Sequence, residues 1–517
     1  MIDSGNATIN LTKDYQLDDA FNSYAIKIKN PITINGNGYT IDAMGKYGIR
    51  IFEISQVTSG IILDNITFKN GNSDSFGGAI NIISDLSDSK FTNLNFINNT
   101  AINNGGAVRF CHTSANNLFE NVTFIDNTAN GGNGGALYIT ETSTSDTFNN
   151  VRFENNVAIN KDKKVDGGAI NFHGKVDGLT FTNATFYKNI AEKSVGGAIN
   201  IDNGIENSIF NNTHFIDNSA KTGGAIGITY KYNYIKSLTF ENIEFIHNTA
   251  LVDDGGAINI GPCGHTDLTG TTFKKVSFIN NTAKQNGGAL YVTKDTKSNT
   301  FEEVEFINNT AKENDGGAVR FGASKQNYIT QGNTFKNVKF INNTAKQNGG
   351  ALYVTGESTS NIFETVDFIN NVAENWDGGA INFYNAVKDT SFNDILFYKN
   401  SAPNSGGGAV NCDKGMENTT FNNTLFADNH ALYTSAIAIS ASGETSSTTI
   451  ENSIFYNNTA NNYLIWIGNS VSDNVIHDSI FLNNGDFNFY PITVTGNIEL
   501  TDNCLEIMLQ TIMKILM

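Results

Sequence analysis

The 517-residue sequence predicts an all-β chain, wound as a single-stranded right-handed parallel β-helix of about 16–17 coils of roughly 30 residues. Three observations predict it. Gly-Gly-Ala recurs twelve times, starting at Gly77, Gly105, Gly134, Gly167, Gly196, Gly223, Gly255, Gly287, Gly316, Gly349, Gly378 and Gly407. A second box, Phe-x4-Phe-x2-Asn-x-Ala, lies between the copies, as in Phe119, Phe124, Asn127 and Ala129. The residues after each Gly-Gly alternate with period 2, which marks strand and not helix.

The elements follow in chain order. Residues 1–70 read as N-terminal coils and a cap, with the strand-rich run Pro31 to Asp42. Residues 71–440 carry the twelve units and a degenerate copy at Ser435-Ala436-Ile437. Within a unit such as Ala136-Leu137-Tyr138-Ile139, the second and fourth residues face inward and the third faces out. The Phe box forms a second short strand with Val122 and Phe124 on one side, and Phe-Ile-Asn-Asn-Thr-Ala turns the chain toward the next Gly-Gly. Residues 441–502 complete the C-terminal coils. Residues 503–517 break the pattern: Leu505, Met508, Leu509, Ile512 and Leu516 have helical spacing. That tail reads either as a helix capping the last coil or as a frameshifted or truncated gene end.

In a stack with ~4.8 Å between coils, each recurring residue becomes a column. Inward Phe pairs become two aromatic stacks, and Gly-Gly permits a bend with φ > 0. The Asn three residues after the second Phe recurs fourteen times, from Asn99 to Asn484; it is expected to take the left-handed conformation and to bond to its own kind along the column. Nine of the twelve units place the next Phe 14 residues after the Gly-Gly start; the other three carry extra residues at Tyr230–Ile235, Pro262–Thr269 and Ala323–Gln331, which read as surface loops. A longer duplication lies on top: Asn104–Phe110 reappears as Asp315–Phe321, and Asp166–Phe172 as Asp377–Phe383.

Composition narrows the function. Asn is 79 and Gly 49, poor for helices and suited to many turns, while 36 Phe supply a core. The net charge of −18 argues against nucleic acid and anionic membranes as partners. No apolar run is long enough to span a membrane. The opening Met1-Ile2-Asp3-Ser4-Gly5 lacks the basic and apolar stretches of a signal peptide, so either the chain is intracellular or its true start lies elsewhere. Four cysteines at 111, 263, 412 and 504 are too few for a disulfide scaffold, and their coils lie too far apart to bridge.

Gly-Gly-Ala-[Ile/Leu/Val] paired with Phe-x-x-Asn resembles the repeats of chlamydial polymorphic outer-membrane proteins. It is also similar to the Asn-rich adhesin-like surface proteins of methanogenic archaea, which carry these repeats in a pectate-lyase-like β-helix. The resemblance implies a passenger or stalk at the cell surface, or a secreted one. It transfers no functional residue, and no C-terminal barrel or anchor helix is present to carry over export and attachment.

Three features of the sequence bear on chemistry. The residue before Gly-Gly alternates as Asp254, Asn286, Asp315, Asn348 and Asp377. Two coils would separate the acids by ~9.6 Å, at the edge of the range for an inverting glycosidase, but an Asp before a bend is a turn residue. The outward column of the Gly-Gly-Ala strand contains Arg109, Tyr138, Tyr291, Arg320 and Tyr353, residue types suited to sugar or protein contact. The seven histidines show no His-x3-His or Cys–His spacing, so no metal site and no cofactor is expected. The sequence therefore predicts a non-enzymatic, monomeric adhesin-like module that attaches to a host or neighbouring-cell protein or glycan. A polysaccharide-degrading lyase or hydrolase is the alternative, and a structural spacer the third reading.

Overall fold

The computed structural model describes residues 7–18, 23–160, 162–229, 235–261, 266–323, 328–440, 442–485, 491–496 and 498–505. No helix occurs among them; the chain is a parallel β-solenoid of about 16 turns of about 29 residues. The turns fall into two compact units. One comprises residues 1–252 with 257–266, the other residues 253–256 with 267–517. Of the predicted C-terminal helix only its first residue, Leu505, is described, and it lies in a strand, Cys504–Leu505, that pairs with Ile480–Leu482; the rest falls outside the described residues.

In the first unit, equivalent residues of successive repeats pair in register. Ile80–Ile82 pairs with Val108–Phe110, matching Ile80 with Val108 and Ile82 with Phe110. Val108–Phe110 then pairs with Leu137–Ile139. The Phe box gives two further strands per turn: Lys90–Thr92 pairs with Leu118–Glu120, and Asn95–Ile97 with Thr123–Ile125. A short third face is built from Thr100–Ala101 against Thr128–Asn130. The second unit repeats this plan, with Leu290–Val292 against Val319–Phe321 and Thr334–Ile341 against Ile362–Ile369.

Strand spacing fixes ring spacing. Phe91, Phe119 and Phe148 stack with centroids 4.7 and 4.6 Å apart and planes nearly parallel. Phe306, Phe340 and Phe368 stack at 4.8 Å in the second unit. These distances match the 4.7–4.9 Å between hydrogen-bonded strands, so the rings stack face over face because the backbone dictates it. The rings are fully buried, each contributing roughly 1.5–3 kcal/mol.

The two glycines do different jobs. Gly105 has φ 71°, and a Cβ there would lie 2.4 Å from the Val108 carbonyl oxygen. Gly106 lacks a positive φ, but its Cβ would meet the Gly135 oxygen of the next turn at 1.9 Å. The first glycine serves the bend that the sequence predicts; the second serves close stacking.

The recurring Asn also divides into two roles, which corrects one expectation. The left-handed residue is not the column Asn but the one before it: Asn98 (φ 52°), Asp126 (55°) and Asn155 (53°). Two more left-handed corners precede it in each turn, as at Asp88 and Asn93. The column Asn lies inside, fully buried, with an unexceptional φ. Asn127 donates from Nδ2 to the Phe96 carbonyl (2.9 Å) and to Asn156 Oδ1 (3.0 Å), and its Oδ1 accepts from the Asn99 backbone N–H (3.0 Å). An amide carries both a donor and an acceptor, so it extends such a ladder indefinitely. A second internal ladder, Asn299–Asn333–Asn361 in the second unit, runs at another corner.

Outside, charges alternate along columns. In the second unit Lys274 pairs with Glu302 at 3.3 Å and Lys336 with Glu364 at 3.0 Å; Lys336 lies opposite Glu302 in the register. In the neighbouring column Lys339 pairs with Glu305 at 3.1 Å and stands opposite Asp367 on its other side.

Candidate functional site

The outward column of the Gly-Gly-Ala strand is where the sequence reading placed a binding surface. The structure corrects this. Tyr138 is 4%, Tyr291 5%, Tyr353 6% and Arg320 3% exposed; Arg109 is half-buried. They point away from the turn's centre, yet they are covered. The cover is the residue just before Gly-Gly in the preceding turn. Phe76 lies 3.8 Å beneath the Arg109 guanidinium, and Asn348 Oδ1 accepts from Asn382 Nδ2 at 3.1 Å. Gly227 has no side chain because Val195 occupies the space, 2.0 Å from where a Cβ would stand.

Burial makes this column a second, polar core. Arg320 is held between the Tyr291 and Tyr353 rings, 5.7 and 5.2 Å from their centroids, with Asp315 at 2.9 Å and Asn286 as ion-pair and amide partners. Burial pushes the Tyr138 hydroxyl up to about 12, with the Asp202 charge adding to it, and raises Tyr291 and Tyr353 as well. These groups are locked, not free to receive a ligand.

The residues before Gly-Gly form a hydrogen-bond ladder. Asp254 Oδ1 accepts from the Asn286 backbone N–H (3.0 Å) and Nδ2 (2.7 Å); Asp315 Oδ1 accepts the same pair from Asn348 (3.1 and 2.9 Å). Asp377 Oδ1 accepts from the Gly406 N–H at 2.9 Å. The acids are turn residues, as the sequence predicts, and each spends its oxygen on a neighbouring turn.

The exposed chemistry lies at the corner just after the Gly-Gly-Ala strand. His173 Nδ1 is 2.8 Å from Asp202 Oδ2, and the Tyr138 ring stacks on His173 at 6.2 Å. Asp202 also accepts from Asn200 Nδ2 (2.7 Å) and Thr229 Oγ1 (3.0 Å), which fixes the carboxylate. The bond to Asp202 raises the His173 pKa. Beneath them Asp166 is pushed up to about 6, first by burial and then by the Asp202 charge. An imidazole whose proton affinity is raised, beside a fixed carboxylate, is a group of the kind that takes part in proton exchange with hydroxyl compounds.

The same corner brings together Asp85, His112 and Glu141, all exposed, with ligand atoms within 4.8 Å of one another. The sequence expectation of no metal site rests on local spacing, which does not register a group assembled from three turns. Residues 230–234, 262–265 and 324–327, the cores of the three predicted insertions, lie outside the described residues. Around them the register continues: Ile199 pairs with Ile226 and Ile205 with Ile235, and Thr296 pairs with Thr330.

Neither cluster has a short-range motif. His173 and Asp202 are 29 residues apart, as are His112 and Glu141. The available signal was therefore one turn of separation, not the local spacings of helical or zinc-finger sites.

Three stretches match the Chlamydia polymorphic membrane protein repeat: residues 121–140, 275–293 and 337–355. The first runs from a left-handed corner at Asn121 through the buried Phe124, the ladder Asn127 and the Gly-Gly-Ala strand. No curated protein matches the chain. Among solved structures, the catalytic domain of a GH87 α-1,3-glucanase in complex with nigerose aligns at 11% identity, covering 89% of this chain and 64% of that one, with a TM-score of 0.20. This chain thus spans less than two thirds of that domain. The PL6 family alginate lyase AlyGC aligns at 8% identity over 97% of this chain and 96% of that one, with a TM-score of 0.15.

Proposed function

We propose that the chain is a non-enzymatic adhesin-like β-solenoid module, a passenger or stalk displayed at the cell surface or secreted. It acts as a monomer and attaches to a host or neighbouring-cell surface protein or glycan. The observation that carries this reading is the threefold match to the polymorphic membrane protein repeat. The likeness to archaeal Asn-rich adhesins belongs to the same reading. Its physical support is the division of labour within each turn. The motif positions are consumed by the core or by turn geometry, whereas the sequence varies in length outside them, in three units after the Gly-Gly-Ala strand and in one, at residues 160–165, before the next Gly-Gly. Loops on a rigid scaffold are where proteins place recognition. The test is a cell- and glycan-binding array probed with the whole chain. Saturable binding to a defined glycan or cell type supports the reading; no binding to any, with no cleavage either, leaves a spacer in its place.

A second reading, a polysaccharide-degrading enzyme, is favoured by the His173–Asp202–Asp166 cluster. Incubation with pectin, alginate and α-1,3-glucan decides it. Product formation that is lost in both His173→Ala and Asp202→Asn would replace the adhesin reading with an enzymatic one.

A further inference from the structure

We propose that Asp85, His112 and Glu141 form a binding site for a borderline transition-metal dication, with zinc as the reference ion. The three residues come from three successive turns at one corner. Their ligand atoms, a carboxylate oxygen, a His112 ring nitrogen and a second carboxylate oxygen, lie within 4.8 Å of one another. Zinc binds imidazole nitrogen and carboxylate oxygen at ~2.0–2.2 Å, so neighbouring ligand atoms in a tetrahedral shell stand ~3.4 Å apart. His112 Nδ1 and Glu141 Oε1 are already 3.2 Å apart. The remaining gap to Asp85 is within the reach of an exposed side-chain rotation.

The corner is held still under the side chains. Leu86 N–H donates to the Thr113 carbonyl at 3.0 Å and Ser114 N–H to the Thr142 carbonyl at 2.9 Å. Thr113 N–H donates to Asp85 Oδ1 at 3.1 Å, which orients that carboxylate and leaves its other oxygen for a metal. The donor set selects the ion. One imidazole with two carboxylates suits zinc, nickel or copper; calcium takes six to eight oxygen ligands, more than this corner supplies. Three protein ligands leave a coordination position for water or for a donor from another molecule. A dication would also neutralise the two carboxylates that face each other here. Other histidines also pair with acids, such as His214 with Glu244 at 2.9 Å. Among the described residues, only the Asp85 corner brings three ligands together.

The competing account is a plain His112–Glu141 ion pair. Titration of the tag-free whole chain with zinc chloride, followed by calorimetry, separates the two. The expected result is one saturable site per chain, with calcium chloride giving no heat. His112→Ala and Glu141→Gln should each weaken zinc binding by on the order of tenfold or more. His214→Ala should leave it unchanged. The variants alter exposed side chains, and an unchanged melting temperature without zinc establishes that each is folded. The proposal is overturned by the absence of a saturable site, by His112→Ala binding zinc as well as the parent, or by an equal loss in His214→Ala.

Discussion

Asn343 and Asn342 are neighbours of the same type, yet the structure gives them opposite weights. Asn343 is fully buried in the amide ladder. Its Nδ2 donates to the Phe306 carbonyl at 2.9 Å and to Asn371 Oδ1 at 3.0 Å. Its Oδ1 accepts from the Asn309 backbone N–H at 2.9 Å and from Asn309 Nδ2 at 3.0 Å. Asn343→Ala removes all four bonds. Asn371 Oδ1 keeps the Asn343 backbone N–H, at 3.0 Å. The Phe306 carbonyl, the Asn309 N–H and the Asn309 amide lose a partner in a buried site. At about 1–3 kcal/mol for each such group, the loss is roughly 3–9 kcal/mol, toward the lower end if a water enters the vacated space. Asn342 has φ 54° and an exposed side chain. Its Oδ1 accepts from Asn370 Nδ2 at 2.8 Å in an exposed setting, so Asn342→Ala costs the left-handed strain, about 1–2 kcal/mol, with a small addition for that solvent-replaceable bond, and Asn342→Gly less. The assay is guanidinium unfolding of the three variants, with hydrogen exchange at the Asn309 amide. In a repeat array stability is a sum of neighbour terms, so Asn343→Ala should accelerate that amide and its neighbours most. Asn343→Ala within 1 kcal/mol of the parent, or Asn342→Ala costing more than Asn343→Ala, would refute the ladder as a source of stability.

Three further outcomes are expected. Phe340→Ala opens a gap in a column with rings 4.8 Å away on both sides and should cost about 3–5 kcal/mol in the same unfolding experiment. Because Asp166 titrates at about 6 in the fold against 3.8 for a free carboxyl, the native state binds that proton more tightly than the unfolded chain. Its contribution is unchanged below the lower value, falls by roughly 3 kcal/mol as pH rises between the two, and is flat above; Asp166→Asn should remove that falling segment from the pH profile of the unfolding midpoint. Cys412 is buried with its thiol pushed up to about 12, whereas Cys504 is exposed, so a thiol reagent should label Cys504 in the native chain and Cys412 only after unfolding, with four free thiols in the unreduced denatured chain.

The repeat period, the two Phe columns and the Gly-Gly bend were legible because each depends on a residue and its own turn. The alternation in Leu137-Tyr138-Ile139 does say that Tyr138 points away from the other two. It does not say that Tyr138 is exposed, because its cover comes from outside its own strand. The left-handed role was assigned to Asn127 when it belongs to Asp126: both residue types tolerate that conformation, and only the backbone decides between them. The His173–Asp202 and Asp85–His112–Glu141 groups were missed for a related reason. Their members are distant in sequence by one or two turns, and local spacing does not join them.

The alternating columns of the second unit impose a parity on the length of the chain. Loss of one whole turn, residues 310–343, would leave the Phe and Asn columns intact, since Phe306 would meet Phe368 and Asn309 would meet Asn371. On the outside it would set Glu302 against Glu364 and Glu305 against Asp367, like charge on like. Loss of two turns, residues 282–343, would set Lys274 against Glu364 and Ser277 against Asp367, with no clash. The interior is indifferent to how many turns there are, but these outer faces distinguish odd from even. A gene that grows and shrinks by recombination between its own repeats would, in this region, keep its even changes more readily than its odd ones.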